Sequence, residues 1–212
     1  GFSGTDSFTV NIEDSLNETA SAVVTVEVST PLHVSAGNRC GLIAAIETAN
    51  AQAGPDVIVL AGGDYNLIQS YTDATAANSN GLPRITDALE IRGNGATIDG
   101  QASRRIFMTD PGTSLELSNL TLRNARSSLL TQSQPSSYLW AGGAIYNRGN
   151  LTLNDVNITT SRAYQGCAIA NYGTLSFNSG KLFGNFGVDK GGALYNGDHA
   201  LLAARGIIFA QN

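Results

Sequence analysis

A repeat of about 24 residues, short alternating apolar strands and only one stretch of helical periodicity predict an all-β chain, its body a right-handed parallel β-helix. The motif Gly142-Gly-Ala-Ile-Tyr-Asn147 returns as Gly166-Cys-Ala-Ile-Ala-Asn171 and as Gly191-Gly-Ala-Leu-Tyr-Asn196, at spacings of 24 and 25 residues. Each copy leads into a second apolar strand: Leu151, Leu153, Val156 and Ile158 in one, Leu175, Phe177 and Leu182 in the next. Ile106-Phe107 with Leu115, Leu117, Leu120 and Leu122 reads as an earlier, more divergent copy, and Leu89, Ile91, Ala96 and Ile98 as one earlier still.

A unit of this size cannot bury its apolar side alone. Stacked in register, each copy pairs its backbone with its neighbours about 4.8 Å away, and alternate side chains line one shared core. Parallel connections are right-handed in nearly all proteins, which sets the expected hand. Asn147, Asn171 and Asn196 hold one repeated position, and Asn154 and Asn178 another, so hydrogen-bonded asparagine ladders along the axis are expected. Gly149 and Gly173 are read as tight corners needing positive φ. A leucine-rich-repeat fold is set aside because no helix follows each strand.

Ahead of the repeats, residues 1–30 have a different character. Phe8, Val10 and Ile12 alternate with polar residues, a polar turn spans 13–18, and Val24, Val26 and Val28 alternate with Val23, Thr25 and Glu27. This predicts a β-hairpin, which alone is marginal in water and needs partners. Residues 31–37 read as a linker. Leu42, Ala45, Ile46 and Ala49 then give helical spacing over 39–53, with Asn38 as N-cap and Gly54-Pro55 as the stop. An amphipathic helix at this place suits the N-terminal cap of the stack, which occupies 31–212. The start at Gly1 and a last residue inside a repeat lead to the expectation that both ends are cut.

Charged residues make up 14% of the chain, against about 25% in ordinary globular proteins, and Gly numbers 24. The net charge is −5 and no Lys/Arg run follows a phosphate backbone, which argues against nucleic acid as a partner. No apolar stretch reaches the ~20 residues of a membrane span. Cys40 and Cys167 are too few for a disulfide framework, lack metal-ligand spacing, and are read as buried or half-buried thiols.

Three resemblances refine this reading. Gly1-Phe-Ser-Gly-Thr-Asp-Ser-Phe8 and the Val/Thr strand after it resemble the last two strands of bacterial cadherin-like or Ig-like tandem repeats. The Gly-Gly-Ala-Ile/Leu copies, with Phe209-Ala-Gln-Asn212 and the variant Leu182-Phe-Gly-Asn185, are similar to the GGAI and FxxN repeats of chlamydial polymorphic outer membrane proteins. Cys40-Gly-Leu-Ile-Ala-Ala-Ile-Glu-Thr-Ala-Asn50 resembles the CSLREAI-type opening of secreted bacterial β-helix proteins, without its Arg-Glu pair. Together these imply a pectin-lyase-like fold, secreted or on a cell surface, and no reaction.

The expected function is a non-catalytic structural or adhesive module of a large exported bacterial protein, with surface glycans or host or neighbouring-cell proteins as partners. The alternative is a carbohydrate-active β-helix that binds or cleaves an acidic polysaccharide. A lyase would need acidic residues gathering Ca²⁺ beside a basic residue, and a hydrolase paired carboxylates about 5–9.5 Å apart. Asp99, Arg104, Arg105 and Asp110 are the nearest such group and are read as charges on solvated corners. Asp189, Lys190, Asp198 and His199 are read as loop residues. No catalytic residue, metal ligand or cofactor is assigned. Two insertions, 69–83 and 125–141, interrupt the stack. Tyr138 and Trp140 in the second are the candidate binding residues, with Trp140 folded back over the stack as the simpler reading.

Overall fold

The computed structural model describes residues 4–28, 30–72, 80–127 and 140–212, and the chain divides into two compact units, Gly1–Pro31 and Leu32–Asn212. The first is the expected hairpin. Strands β1 (Gly4–Glu13) and β2 (Thr19–Val28) pair antiparallel. The Asp14 carboxylate closes the turn by accepting from the backbone N–H groups of Leu16 and Glu18 at 2.8 and 3.0 Å. Phe8 faces Val24, Val10 faces Ala22 and Ile12 faces Ala20, so one side of the ribbon is apolar, and Phe8, Val10, Ile12 and Val24 are exposed on it.

The second unit is built from parallel strands. Leu32–Val34 (β3) pairs with Asp56–Leu60 (β4), so this part of the expected linker is a strand. Three residues are too few for alternation to register in a sequence window. Between them runs helix α1 (Arg39–Ala51). Its Asn38 cap accepts from the Gly41 N–H at 2.9 Å, and Leu42, Ala45, Ile46 and Ala49 are buried in the core.

Five long strands follow: β6 (Leu89–Asp99), β8 (Ser114–Arg123), β10 (Asn150–Thr159), β13 (Thr174–Phe183) and β16 (Leu201–Ala210). They lie in the order β16-β13-β10-β8-β6, continued by β4 and β3, with β5 (Asp64–Asn66) on the second half of β6. A second sheet holds β7 (Phe107–Met108), β9 (Ile145–Asn147), β12 (Ile169–Asn171) and β15 (Leu194–Asn196); β11 (Arg162–Gln165) and β14 (Phe186–Lys190) form a third. Every strand pair in this unit is parallel. The chain is therefore all-β with long parallel sheets and one helix among the described residues.

Register carries the apolar pattern from strand to strand. Leu89, Leu115, Leu151, Leu175 and Leu202 are consecutive partners, as are Ile98, Leu122, Ile158, Leu182 and Phe209. In the second sheet Phe107, Ile145, Ile169 and Leu194 align; the first three are buried and Leu194 packs half-buried on the same core. Burial of each such side chain contributes roughly 1.5–3 kcal/mol. At β16 the pattern meets solvent: Leu201, Leu202, Ile208 and Phe209 are exposed.

The long strands are bent. Register skips one residue in β8, β10, β13 and β16, and that residue is left-handed: Asn119 (φ 49°), Asp155 (55°), Ser179 (62°) and Gly206 (65°); β6 skips from Arg92 to Ala96, with Asn94 and Gly95 left-handed. Left-handed corners recur at Asn124, Thr160, Gly184 and Gln211, and at Gly142, Gly166 and Gly191. Asn, Asp and Gly tolerate this conformation best. Gly149 and Gly173, read from sequence as such corners, have ordinary φ. They are glycine for another reason: a Cβ on Gly173 would strike the Gly149 carbonyl, and one on Gly149 the carbonyls of Thr113 and Asp110.

Both asparagine ladders form. Asn147 donates its amide to Asn171 Oδ1, and Asn171 donates to Asn196 Oδ1, each at 2.7 Å; Thr109 Oγ1 donates to Asn147 Oδ1 at 2.6 Å. Asn147 and Asn171 are fully buried, and each also donates to two backbone carbonyls. The ladder at Asn154 and Asn178 lies on the exposed surface, with a single 3.1 Å bond. A third row joins Ser161, Asn185 and Asn212, in which Asn185 accepts from the Ser161 N–H and donates to Asn212 Oδ1. Replacing Asn171 by Ala leaves buried partners unsatisfied and is expected to cost about 2–4 kcal/mol in urea unfolding. Asn178→Ala, at the exposed ladder, is expected to change stability by less than about 0.5 kcal/mol.

Candidate functional site

Of the two candidate binding residues, Tyr138 lies outside the described residues, with parts of both insertions (73–79 and 128–139). Trp140 is half-buried. Its ring packs on a cluster of Met108, Ala141, Tyr146 and Ala170 and stands 6.2 Å from the Tyr164 ring. Its carbonyl accepts from Ser127 Oγ and from the Tyr164 N–H, both at 2.9 Å. Beside it runs a tyrosine row that the repeat itself generates. Tyr146 and Tyr195 occupy the same motif position, Ala170 stands there in the middle copy, and Tyr172 sits between the two rings at 5.3 and 5.7 Å. Spacings of this kind are those of tilted aromatic pairs that rigidify a surface.

The reading of Asp99, Arg104, Arg105 and Asp110 as solvated corner charges is corrected by burial for Asp99 and Arg105, while Arg104 and Asp110 are half-buried. Arg105 is fully buried, with Nε donating to Gly142 O at 2.9 Å, Nη2 to Ala141 O at 2.8 Å and Nη1 to Asn80 Oδ1 at 3.0 Å, and its guanidinium over the Tyr146 ring. Burial pushes its pKa down to about 10. It thus ties Asn80, in the first insertion, to Ala141 and Gly142 at the end of the second, a structural role that charge counting hides. Asp99 is buried as well. Desolvation alone would raise its carboxyl, but hydrogen bonds from Arg123 Nε, the Gln101 N–H and Asn124 Nδ2 outweigh this and hold it below the usual carboxylate range. Asp110, half-buried, is clamped between Arg84 at 2.7 Å and Arg148 at 2.9 Å. Arg104, also half-buried, donates Nη1 to the Ser103 carbonyl at 2.8 Å. Asp99, Arg105 and Asp110 thus turn their polar groups to neighbouring chain.

Asp189 and Lys190 lie on β14 rather than on a loop, both exposed, and Asp189 accepts from Gln165 Nε2 at 3.2 Å. Asp198 and His199 are exposed in a turn, His199 with φ 62°. Cys167 is buried, as expected; burial raises its thiol to about 11, against a partly offsetting hydrogen bond to the Ala163 carbonyl. Cys40 is exposed, contrary to expectation, because it falls on the helix turn that faces away from Leu42 and Ile46. No group of three or more His, Cys, Asp or Glu side chains among the described residues is arranged to hold a metal ion, and none of their helices is long and apolar enough to cross a membrane.

One feature was missed in the sequence. A cleft of about 420 Å³ opens where the third sheet meets the corner residues, lined among others by Asn124, Arg126, Thr160, Arg162 and Phe186. Arg126 pairs in register with Arg162, and Arg162 with Phe186. The signal was available: each follows directly on the last residue of Leu122–Ala125, Ile158–Ser161 or Leu182–Asn185, one repeat position in three copies.

Two outcomes follow from this geometry. Iodoacetamide under native conditions is expected to alkylate Cys40 rapidly and Cys167 only on unfolding, as read by peptide mass. Asp56 is buried with Oδ2 unpartnered, and burial, then the Asp87 charge, raises its carboxyl above 3.8. The ionised form therefore weakens the fold at neutral pH. Asp56→Asn is expected to raise the thermal midpoint at pH 7, with the gain shrinking as pH falls through the folded-state value and vanishing below about 3.8.

Compared with protein-family models, curated proteins and solved structures, the chain gives no match.

Proposed function

We propose that the second unit is a right-handed parallel β-helix of the pectin-lyase-like type, and that the chain is a non-catalytic structural or adhesive module of a large secreted or cell-surface bacterial protein. The hairpin is then the end of a cadherin-like or Ig-like repeat, α1 the N-terminal cap, and the partners surface glycans or proteins of a host or neighbouring cell. The observation that carries the functional reading is the use made of the polar groups a catalyst would need. Asp99, Asp110 and Arg105 are held by Arg123, by Arg84 with Arg148, and by backbone carbonyls, so they fix the stack rather than face a substrate. The in-register ladders and a surface of small neutral polar residues suit a rigid spacer or display element. The right-handed hand follows from the bias of parallel connections.

Antibodies raised against the purified chain test this in the source cells. Labelling of intact cells, or recovery of the antigen from culture medium, is the expected result; antigen found only after lysis overturns the exported role. Release of new reducing ends or unsaturated sugars from acidic polysaccharides, at a rate that survives repurification, overturns the non-catalytic reading.

A further inference from the structure

The cleft at Arg126 and Arg162 has a chemistry that the stack does not account for. The chain carries 12 basic and 17 acidic residues, and four of its arginines are answered by carboxylates: Arg84 and Arg148 by Asp110, Arg92 by Glu90, Arg123 by Asp64 and Asp99. Among the described residues, Arg126 and Arg162 donate no side-chain hydrogen bond and form no ion pair. They are nonetheless partners in an isolated parallel bridge between Arg126 and β11, about 4.8 Å apart along the stack. Like charges placed directly opposite destabilise a sheet. A pair kept in this arrangement without an internal counter-charge is an unanswered electrostatic cost, and an anion supplied from outside removes it.

The rest of the cleft narrows the class of anion. Phe186 continues the same row, directly after Arg162, and its side chain is 64% exposed. An exposed aromatic face in line with two guanidinium groups suits a ligand that alternates flat apolar surface with negative charge. The floor is polar and neutral: Thr160 Oγ1 donates to Asn124 Oδ1 at 2.8 Å, and Asn124 Nδ2 is turned to Asp99. The Asp99 carboxylate behind that floor is already answered by Arg123 at 2.7 Å, so it leaves the cleft net positive. At about 420 Å³ the cleft takes two or three sugar rings side by side with a row of strands, rather than a deep small-molecule pocket. The overall negative charge disfavours the long phosphate tracking that nucleic acids require.

We infer that Arg126, Arg162 and Phe186 form a binding site for a linear acidic glycan, with carboxylate or sulfate groups on the two guanidiniums and a sugar face on the phenyl ring. This goes beyond a display role and is independent of the hand of the stack. It places a ligand class on a row that begins at Arg126, inside the same 125–141 insertion that carries Tyr138 and Trp140.

Calorimetric titration of the 212-residue chain with alginate oligosaccharides, heparin oligosaccharides, dextran and oligo(dT) tests the site. Binding of alginate or heparin, weakened by added salt, with none for dextran, is the expected result; the two acidic arms separate carboxylate from sulfate recognition. Arg126→Gln and Arg162→Gln are each expected to lower affinity about tenfold, the loss of one charge-assisted contact, and Phe186→Ala several-fold. All three positions are at the surface, and unchanged thermal melting shows that the variants fold. Unaltered affinity in the double Arg→Gln variant, tighter binding of oligo(dT) than of either acidic glycan, or no binding by any probe overturns the inference. Absence of binding with surface labelling retained would leave the display role standing.

Discussion

A buried side-chain amide must find partners for both its donors and its acceptor, and in this chain it finds them along the stack. Asn147 and Asn171 are buried at the second sheet, and each Nδ2 shares its two N–H groups between the next asparagine and two backbone carbonyls. The arrangement works only if the copies lie one above another without slip. A shift of one residue would point the amide outward and put a neighbour such as Tyr146 or Arg148 in the place of Asn147, so the ladder specifies register as well as stabilising it. The apolar rows obey the same condition, since Ile145 and Ile169 meet face to face only when Asn147 meets Asn171.

Stacking at strand spacing also dictates what each corner can hold. The chain turns through left-handed residues at three recurring places, which favours Asn, Asp and Gly there. Where backbones of successive copies approach closely, as at Gly149 and Gly173, the requirement is simply the lack of a Cβ. Two different physical demands thus produce the same residue, and periodic glycine does not tell which applies. That is why the corner assignment from sequence fell on the wrong glycines while the repeat itself was read correctly.

Charge shows the opposite lesson. Residues spaced like surface charges turned out to be structural: Arg105 holds two chain segments with its fork of donors, Asp99 is gripped by Arg123 of β8, and Asp110 by Arg84 and Arg148. These partners are 24 to 38 residues away in sequence, too far for local pattern to reveal. The Arg126, Arg162 and Phe186 row instead lines a cleft. Trp140, by contrast, was legible as a residue folded back, because a large amphipathic ring beside a tyrosine-bearing repeat has apolar surface to cover.

The residues alone determined the strand content, the 24-residue period, the buried leucine and isoleucine rows, the capped helix at Asn38 and the asparagine ladders, because each is written in spacing that a short window can read. The tertiary structure alone decided that Leu32–Val34 is a strand, which glycines are left-handed, where Asp99 and Arg105 are buried, and that two arginines share a row with a phenylalanine. Each of these depends on which residue of one copy lies over which residue of the next. That relation exists only after the chain has turned back on itself, and small differences in copy length and corner placement set it.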